Sequence, residues 1–120
     1  MTVRTILIVA DVQMDRARLE GIVAKAGYST IHASRKQALE TAIEERPDLA
    51  LLDVTEDDMH GFRICRELST HFETRDIPVI IVSDHTQRVD RLWAEQQGAK
   101  GLVKKPYATE DVLGQIRRFD

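Results

Sequence analysis

The chain has 120 residues, of which 42% are hydrophobic and 31% are charged, and its formal net charge is −3. This length and apolar content suit one domain, residues 1–120, with a single buried core, and the acidic balance argues against direct nucleic-acid binding, which needs a basic surface. No apolar run is long enough to span a bilayer, residues 1–10 lack a signal-peptide pattern, and the single cysteine excludes an internal disulfide. We therefore expect a cytoplasmic protein.

Two hydrophobic periodicities alternate along the chain. Continuous apolar runs, typical of strands covered on both faces, predict strands at 5–10, 28–33, 49–53, 78–83 and 101–104. Between and after them, apolar residues recur at helical spacing and predict five helices. The apolar stripes of these helices lie at 19–26, 39–43, 62–68, 89–93 and 112–119.

Several residues mark where the helices begin and end. Ser34 and Gln37 form a capping-box pattern ahead of the second helix, and Thr109 begins the last one. Gly27 and Gly98 stand where a left-handed residue commonly ends a helix. Strand–helix units joined by short connections predict an α/β doubly wound parallel sheet, with the strand order 2-1-3-4-5 as the natural choice.

Chemically useful residues follow four of the predicted strands. The first strand reaches Asp11, the third ends at Asp53, the fourth reaches Ser83 and the fifth reaches Lys105. Because the carboxyl edges of parallel strands gather into one crevice, we expect these side chains to lie together. Carboxylates, a hydroxyl and an ammonium group suit a divalent cation and a phosphoryl group. Lys104 points to the opposite face by strand alternation, so we assign it no role in the site.

The order and spacing of these motifs resemble those of response-regulator receiver domains, the phosphoacceptor modules of two-component signalling, over essentially the whole chain. The matching stretches are ILIVAD at 6–11, LALLDV at 49–54, Gly61, IPVIIVS at 77–83 and GAKGLVKKP at 98–106. The stretch that contains Trp93 followed by Gln97-Gly98-Ala99 is also similar to the corresponding stretch in single-domain receivers of twitching motility.

The resemblance implies a role for each residue of the crevice. Asp53 would be the phosphoacceptor, Ser83 and Lys105 would contact the phosphoryl group, and the Lys105–Pro106 peptide would be cis. Asp11, Asp53 and the backbone carbonyl of Thr55 would be the protein ligands of Mg²⁺. The phosphodonor would be a histidine kinase or a phosphotransfer protein, and the chain would not be a turnover enzyme. A downstream protein would bind the face formed by the helix with Val89 and Trp93, the fifth strand and the last helix.

Four positions depart from the family pattern. Ala10 stands where receivers usually carry a first acid, which predicts weakened Mg²⁺ binding. Glu56-Asp57 replaces the usual Met-Pro pair, and Leu102 replaces the aromatic switch residue of the fifth strand. The chain is therefore an atypical receiver, in which the signal would pass through backbone shifts rather than through an aromatic ring.

Two alternatives compete with a phosphorylated receiver. Ala10 and Leu102 favour a pseudo-receiver, a binding module that works without phosphorylation. A small flavodoxin-type cofactor protein would need a glycine- or hydroxyl-rich phosphate loop after the first strand. Residues 10–16 offer acids there, which would repel a nucleotide phosphate.

Overall fold

The computed structural model describes residues 2–54, 59–84 and 88–120. The strands are β1 (Thr5–Val9), β2 (Ser29–Ala33), β3 (Leu49–Val54), β4 (Val79–Ser83) and β5 (Gly101–Lys104). The helices are α1 (Gln13–Lys25), α2 (Ala38–Glu45), α3 (Met59–Thr70), α4 (Arg88–Gln96) and α5 (Thr109–Arg117), with a 3₁₀ turn at Arg35–Gln37. The strands form one parallel sheet in the order β2-β1-β3-β4-β5, so the predicted fold class and strand order are confirmed.

Helices cover the sheet on both faces. Alternate residues of β1, β3 and β4 pack on one side against α2, α3 and α4, and on the other side against α1 and α5. Every residue of β3 is buried, which explains why its sequence is a continuous apolar run that only Asp53 interrupts. A charged residue inside such a strand has to be neutralised by specific partners, because burial without them is costly.

One local prediction was wrong. Ser34 does not cap α2, because residues 35–37 form a 3₁₀ turn first and the Ser34 hydroxyl lies 3.5 Å from the Gln37 side-chain oxygen. Leu92, one of the apolar residues that mark α4 in the sequence, is 54% exposed and does not face the core. In α4 the stripe facing the core runs through Trp93 and Ala94 instead, and the Trp93 ring meets that of Phe62 edge to face at 4.5 Å.

The predicted helix ends agree with the backbone. Gly27 and Gly98 have φ values of 102° and 99°, a region that residues with a side chain rarely adopt. The lone Cys65 is fully buried in α3, and burial raises the pKa of its thiol to about 11, as suits a packing residue. No helix in the described ranges is long and apolar enough to cross a membrane.

Candidate functional site

The carboxyl edge of the sheet brings the predicted residues to neighbouring strand ends. Asp53 is the penultimate residue of β3 and pairs in register with Val82, while Ser83 ends β4 beside Val54. Lys105 directly follows β5, and its backbone N–H donates to the Ser83 carbonyl at 2.8 Å. The β4–β5 pairing thus continues one residue past the strand and fixes where the Lys105 side chain begins. The Lys105–Pro106 peptide is cis.

Asp53 and Lys105 form a direct ion pair at the centre of this edge. The Lys105 ammonium donates to Oδ1 of Asp53 at 2.6 Å, and the Asp53 side chain is only 3% exposed. The other oxygen, Oδ2, is buried and has no hydrogen-bond partner within the described segments. A buried carboxylate oxygen normally has a partner. Lys105 therefore holds one oxygen of Asp53 in place, while the other lacks the partner that its burial would normally require.

Opposing influences set the ionisation of Asp53. Burial is the largest and raises the pKa of its carboxyl above the ordinary value of 3.8. The Lys105 hydrogen bond and charge, and the more distant charge of Arg35, act in the other direction, while Asp15 adds to the increase. The net direction is upward, so the ionised carboxylate is under-compensated by the groups that the chain itself supplies.

Asp15 is a second acid beside Lys105, and it was not among the predicted site residues. It lies in the first turn of α1, and its Oδ2 is 3.7 Å from the Lys105 ammonium. Its charge also acts on Asp53 and on the partly buried Tyr107. Lys105 is therefore shared between two carboxylates, Asp53 at hydrogen-bond distance and Asp15 at the rim.

Asp11 lies at the same edge but contacts Arg35. The Arg35 backbone N–H donates to Oδ1 of Asp11 at 2.9 Å, and the Arg35 Nε lies 3.6 Å from Oδ2. Arg35 was not among the predicted residues. Arg35 could have been predicted from its position just after β2, because the carboxyl end of β2 lies beside that of β1.

The position of the missing acid is part of the core. Ala10 is 2% exposed, packs with the cluster beneath α1 and α5, and donates its backbone N–H to Ala33 at 3.3 Å. The predicted carbonyl ligand Thr55 and the Glu56-Asp57 pair fall outside the described residues. Among the described residues of this edge, the acids that form ion pairs with Lys105 or Arg35 are Asp11, Asp15 and Asp53.

The residues present fit a hard divalent cation. Mg²⁺ takes oxygen ligands, keeps several waters and is commonly held by one or two carboxylates. Oδ2 of Asp53, which has no hydrogen-bond partner among the described residues, is an oxygen of this kind, and Asp11 follows the adjoining strand β1. Within the described ranges, no three His, Cys, Asp or Glu side chains form a cluster that could hold a metal ion.

Fold and crevice together define the class of protein. A parallel sheet in this order, with a crevice at its carboxyl edge, is the flavodoxin-like type of doubly wound α/β domain. The crevice carries acids and a lysine in place of a glycine-rich phosphate loop. Within this class the chain belongs to the response regulator receiver domain family, whose pattern matches residues 6–117.

Relatives and solved structures agree with this assignment. The protein PilH of Pseudomonas aeruginosa is 34% identical over 112 residues, covering 92% of this chain and 93% of PilH. The chemotaxis protein CheY4 of Vibrio cholerae superposes with a TM-score of 0.87 at 23% identity, covering 99% of this chain and 100% of CheY4. A receiver domain of a Pseudomonas aeruginosa sensor histidine kinase, solved with a magnesium ion in its active-site cleft, has a TM-score of 0.84 at 23% identity over 98% of both chains.

These findings confirm the family predicted from the motifs. The chain is a response regulator receiver domain of two-component phosphorelay signalling. Receiver domains are signalling modules rather than turnover enzymes, they bind Mg²⁺ at their active site, and they interact with histidine kinases and downstream proteins.

Proposed function

We propose that Asp53 is the phosphoacceptor of this receiver. The observation that carries the proposal is the state of its buried carboxylate, in which Oδ1 is held by Lys105 at 2.6 Å and Oδ2 has no partner among the described residues. A carboxylate that is buried, under-compensated and held in one orientation is suited to nucleophilic attack on phosphorus. Perturbed pKa values of this kind gather at functional sites.

The proposed step transfers one phosphoryl group. A carboxylate oxygen of Asp53 attacks the phosphorus of a phosphohistidine, the phosphorus–nitrogen bond breaks, and its electron pair leaves with the imidazole. Lys105 holds the acceptor and then offers its ammonium to the phosphoryl oxygens, and Ser83 lies on the adjoining strand to donate its hydroxyl to them. Positioning and charge neutralisation supply most of the catalysis in such transfers.

Asp11, Asp53 and the Thr55 carbonyl are the proposed ligands of Mg²⁺, which supplies further neutralisation of the phosphoryl charge when bound. Two observations support this assignment: one oxygen of Asp53 has no partner among the described residues, and Asp11 follows the adjoining strand β1. Because Ala10 contributes no carboxylate, we expect weaker Mg²⁺ binding than two adjacent acids would give.

Intact-mass measurement tests the phosphoacceptor directly. With Mg²⁺ and a small acyl phosphate, the chain should gain one phosphoryl group, and Asp53→Asn should abolish the gain. Asp76→Asn, which removes an exposed carboxyl from the α3–β4 connection, is the matched control and should be phosphorylated like the unmodified chain. No gain in the unmodified chain, or a gain that survives Asp53→Asn, would contradict the proposal and favour a phosphorylation-independent binding module.

The proposed output surface is the face formed by α4, β5 and α5. Leu92 is exposed on α4, and a groove of about 650 Å³ between these elements is lined by residues that include Lys100, Leu102, Gln115 and Arg118. Leu102 is only partly buried and packs on the same core cluster as Trp93. With no aromatic switch residue, coupling would run from Ser83 and Lys105 through the backbone of β4 and β5, which their 2.8 Å hydrogen bond links.

Hydrogen exchange tests this face. Adding an acyl phosphate and Mg²⁺ should change amide exchange in α4, β5 and α5, because the phosphoryl group would attract the side chains of both Ser83 and Lys105. Asp53→Asn under the same conditions is the control and should show no change. Changes confined to α1 and α2 would contradict the assignment of the output surface.

A further inference from the structure

Arg35 is a cation that the fold delivers to the edge of the acidic crevice. It begins the 3₁₀ turn just after β2, and β2 lies beside β1 along its whole length. The hydrogen bond from Ala10 to Ala33 extends this pairing by one step beyond the strand. The register therefore brings the start of the turn against Asp11, which follows Ala10.

Arg35 engages both oxygens of Asp11. Its backbone N–H donates to Oδ1 at 2.9 Å, and its Nε lies 3.6 Å from Oδ2. The Arg35 side chain is only 17% exposed, whereas that of Asp11 is 49% exposed. The guanidinium is therefore held against the protein, while one side of the Asp11 carboxylate remains open to solvent.

We propose that Arg35 is a built-in counter-ion of the crevice that competes with a divalent cation for Asp11. A guanidinium stays protonated at any pH that a folded protein meets, so its charge at Asp11 is permanent. Because this charge repels a divalent cation that approaches Asp11, the cation binds less tightly than it would without Arg35. The charge of Arg35 also extends to Asp53, where it favours the ionised carboxylate.

The competition works in both directions. If Arg35 weakens the binding of a cation, the bound cation must weaken the hold of Arg35 on Asp11 by the same free energy. Cation binding should then loosen the turn at Arg35–Gln37, which lies between β2 and α2. Arg35 thus acts through Asp11, as a positioning residue. The conformation of the β2–α2 connection would then depend on whether a cation occupies the metal site.

The proposal rests on the assignment of Asp11 as a metal ligand, but Mg²⁺ binding can be measured without any phosphorylation. Titration calorimetry at constant ionic strength would compare the unmodified chain with Arg35→Gln, Arg35→Lys and Lys36→Gln. Lys36→Gln is the matched control because Lys36 is the exposed cation next in the same turn. We expect Arg35→Gln to bind Mg²⁺ roughly two- to fivefold more tightly, the scale of one partly screened charge pair. Arg35→Lys keeps the charge and should fall between Arg35→Gln and the unmodified chain, whereas Lys36→Gln should leave the affinity unchanged.

An affinity of Arg35→Gln no higher than that of Lys36→Gln would overturn the proposal, because Arg35 would then be only a structural ion pair. Absence of Mg²⁺ binding in every variant would overturn it together with the proposed metal site, while phosphorylation of Asp53 would remain open to its own test. Should Arg35→Gln fail to fold, the unmodified chain still decides the question. Mg²⁺ should shift the NMR signal of the Arg35 Nε–H more than that of Arg117, which pairs with Glu110 on α5, and equal shifts would contradict the competition.

Discussion

Replacing Lys105 with Met should destabilise the chain at neutral pH by roughly 2–3 kcal/mol, because it leaves a buried carboxylate without its nearest cation. Lys105 donates to Asp53 at 2.6 Å, and Asp53 is only 3% exposed. The expected loss lies below the range of about 3–5 kcal/mol for broken buried ion pairs, since Lys105 is itself 19% exposed and Arg35 still acts on Asp53. Urea denaturation of the unmodified chain and of Lys105→Met measures this loss.

The loss should depend on pH in a defined direction. Burial raises the pKa of Asp53 above 3.8, so folding is favoured with the carboxyl protonated, and this advantage is lost as the pH rises through the folded-state pKa. Removing Lys105 raises that pKa further. The difference in unfolding free energy between the two chains should therefore be largest at neutral pH and should shrink as the pH falls and Asp53 becomes protonated in both.

Two controls separate charge from packing. In an Asp53→Asn background, Lys105→Met should cost much less, because no buried charge is left uncompensated. Lys104 is an exposed lysine next to Lys105, so Lys104→Met should change the free energy of unfolding little. An undiminished loss in the Asp53→Asn background would show that the aliphatic stem of Lys105, rather than its charge, stabilises the fold.

Much of the fold could be predicted because burial dictates the pattern. A strand covered on both faces must be apolar throughout, so 49–52 and 79–82 were recognisable without any knowledge of their partners. Asp53 stood out for the same reason, as a charge in an otherwise apolar strand. The carboxyl-edge rule for parallel sheets then placed Ser83 and Lys105 beside it.

The parts that were missed depend on which elements are neighbours. Arg35 meets Asp11 only because β2 pairs with β1 in a particular register, and hydrophobic periodicity carries no information on register between strands. Asp15 reaches Lys105 from a helix turn, which requires the packing of α1 on the sheet. The exposure of Leu92 could not be predicted either, because apolar residues alone do not reveal which side of a short helix is covered.

Gly61→Ala should destabilise the chain by about 1–3 kcal/mol through overpacking behind β3, the strand that carries the proposed phosphoacceptor. A Cβ at Gly61 would lie 2.8 Å from Cγ2 and 3.0 Å from Cγ1 of Val54, which is fully buried. Val54 follows Asp53 in β3 and cannot move away without shifting the strand end. We therefore expect slower phosphorylation by an acyl phosphate as well as a lower denaturation midpoint.

The chain offers both a matched control and a compensating change for this substitution. Gly21 lies exposed in α1 with nothing within 4 Å of an added Cβ, so Gly21→Ala should stabilise the chain by roughly 0.5–1 kcal/mol through helix propensity. Val54→Ala should recover part of the loss when combined with Gly61→Ala, since it removes the methyl groups that the new Cβ would meet. If the double variant loses as much stability as the two single variants lose together, the close contact with Val54 is not the reason that position 61 needs a glycine. Recovery of the phosphorylation rate together with stability would show that the close packing of α3 on β3 holds Asp53 in its working position.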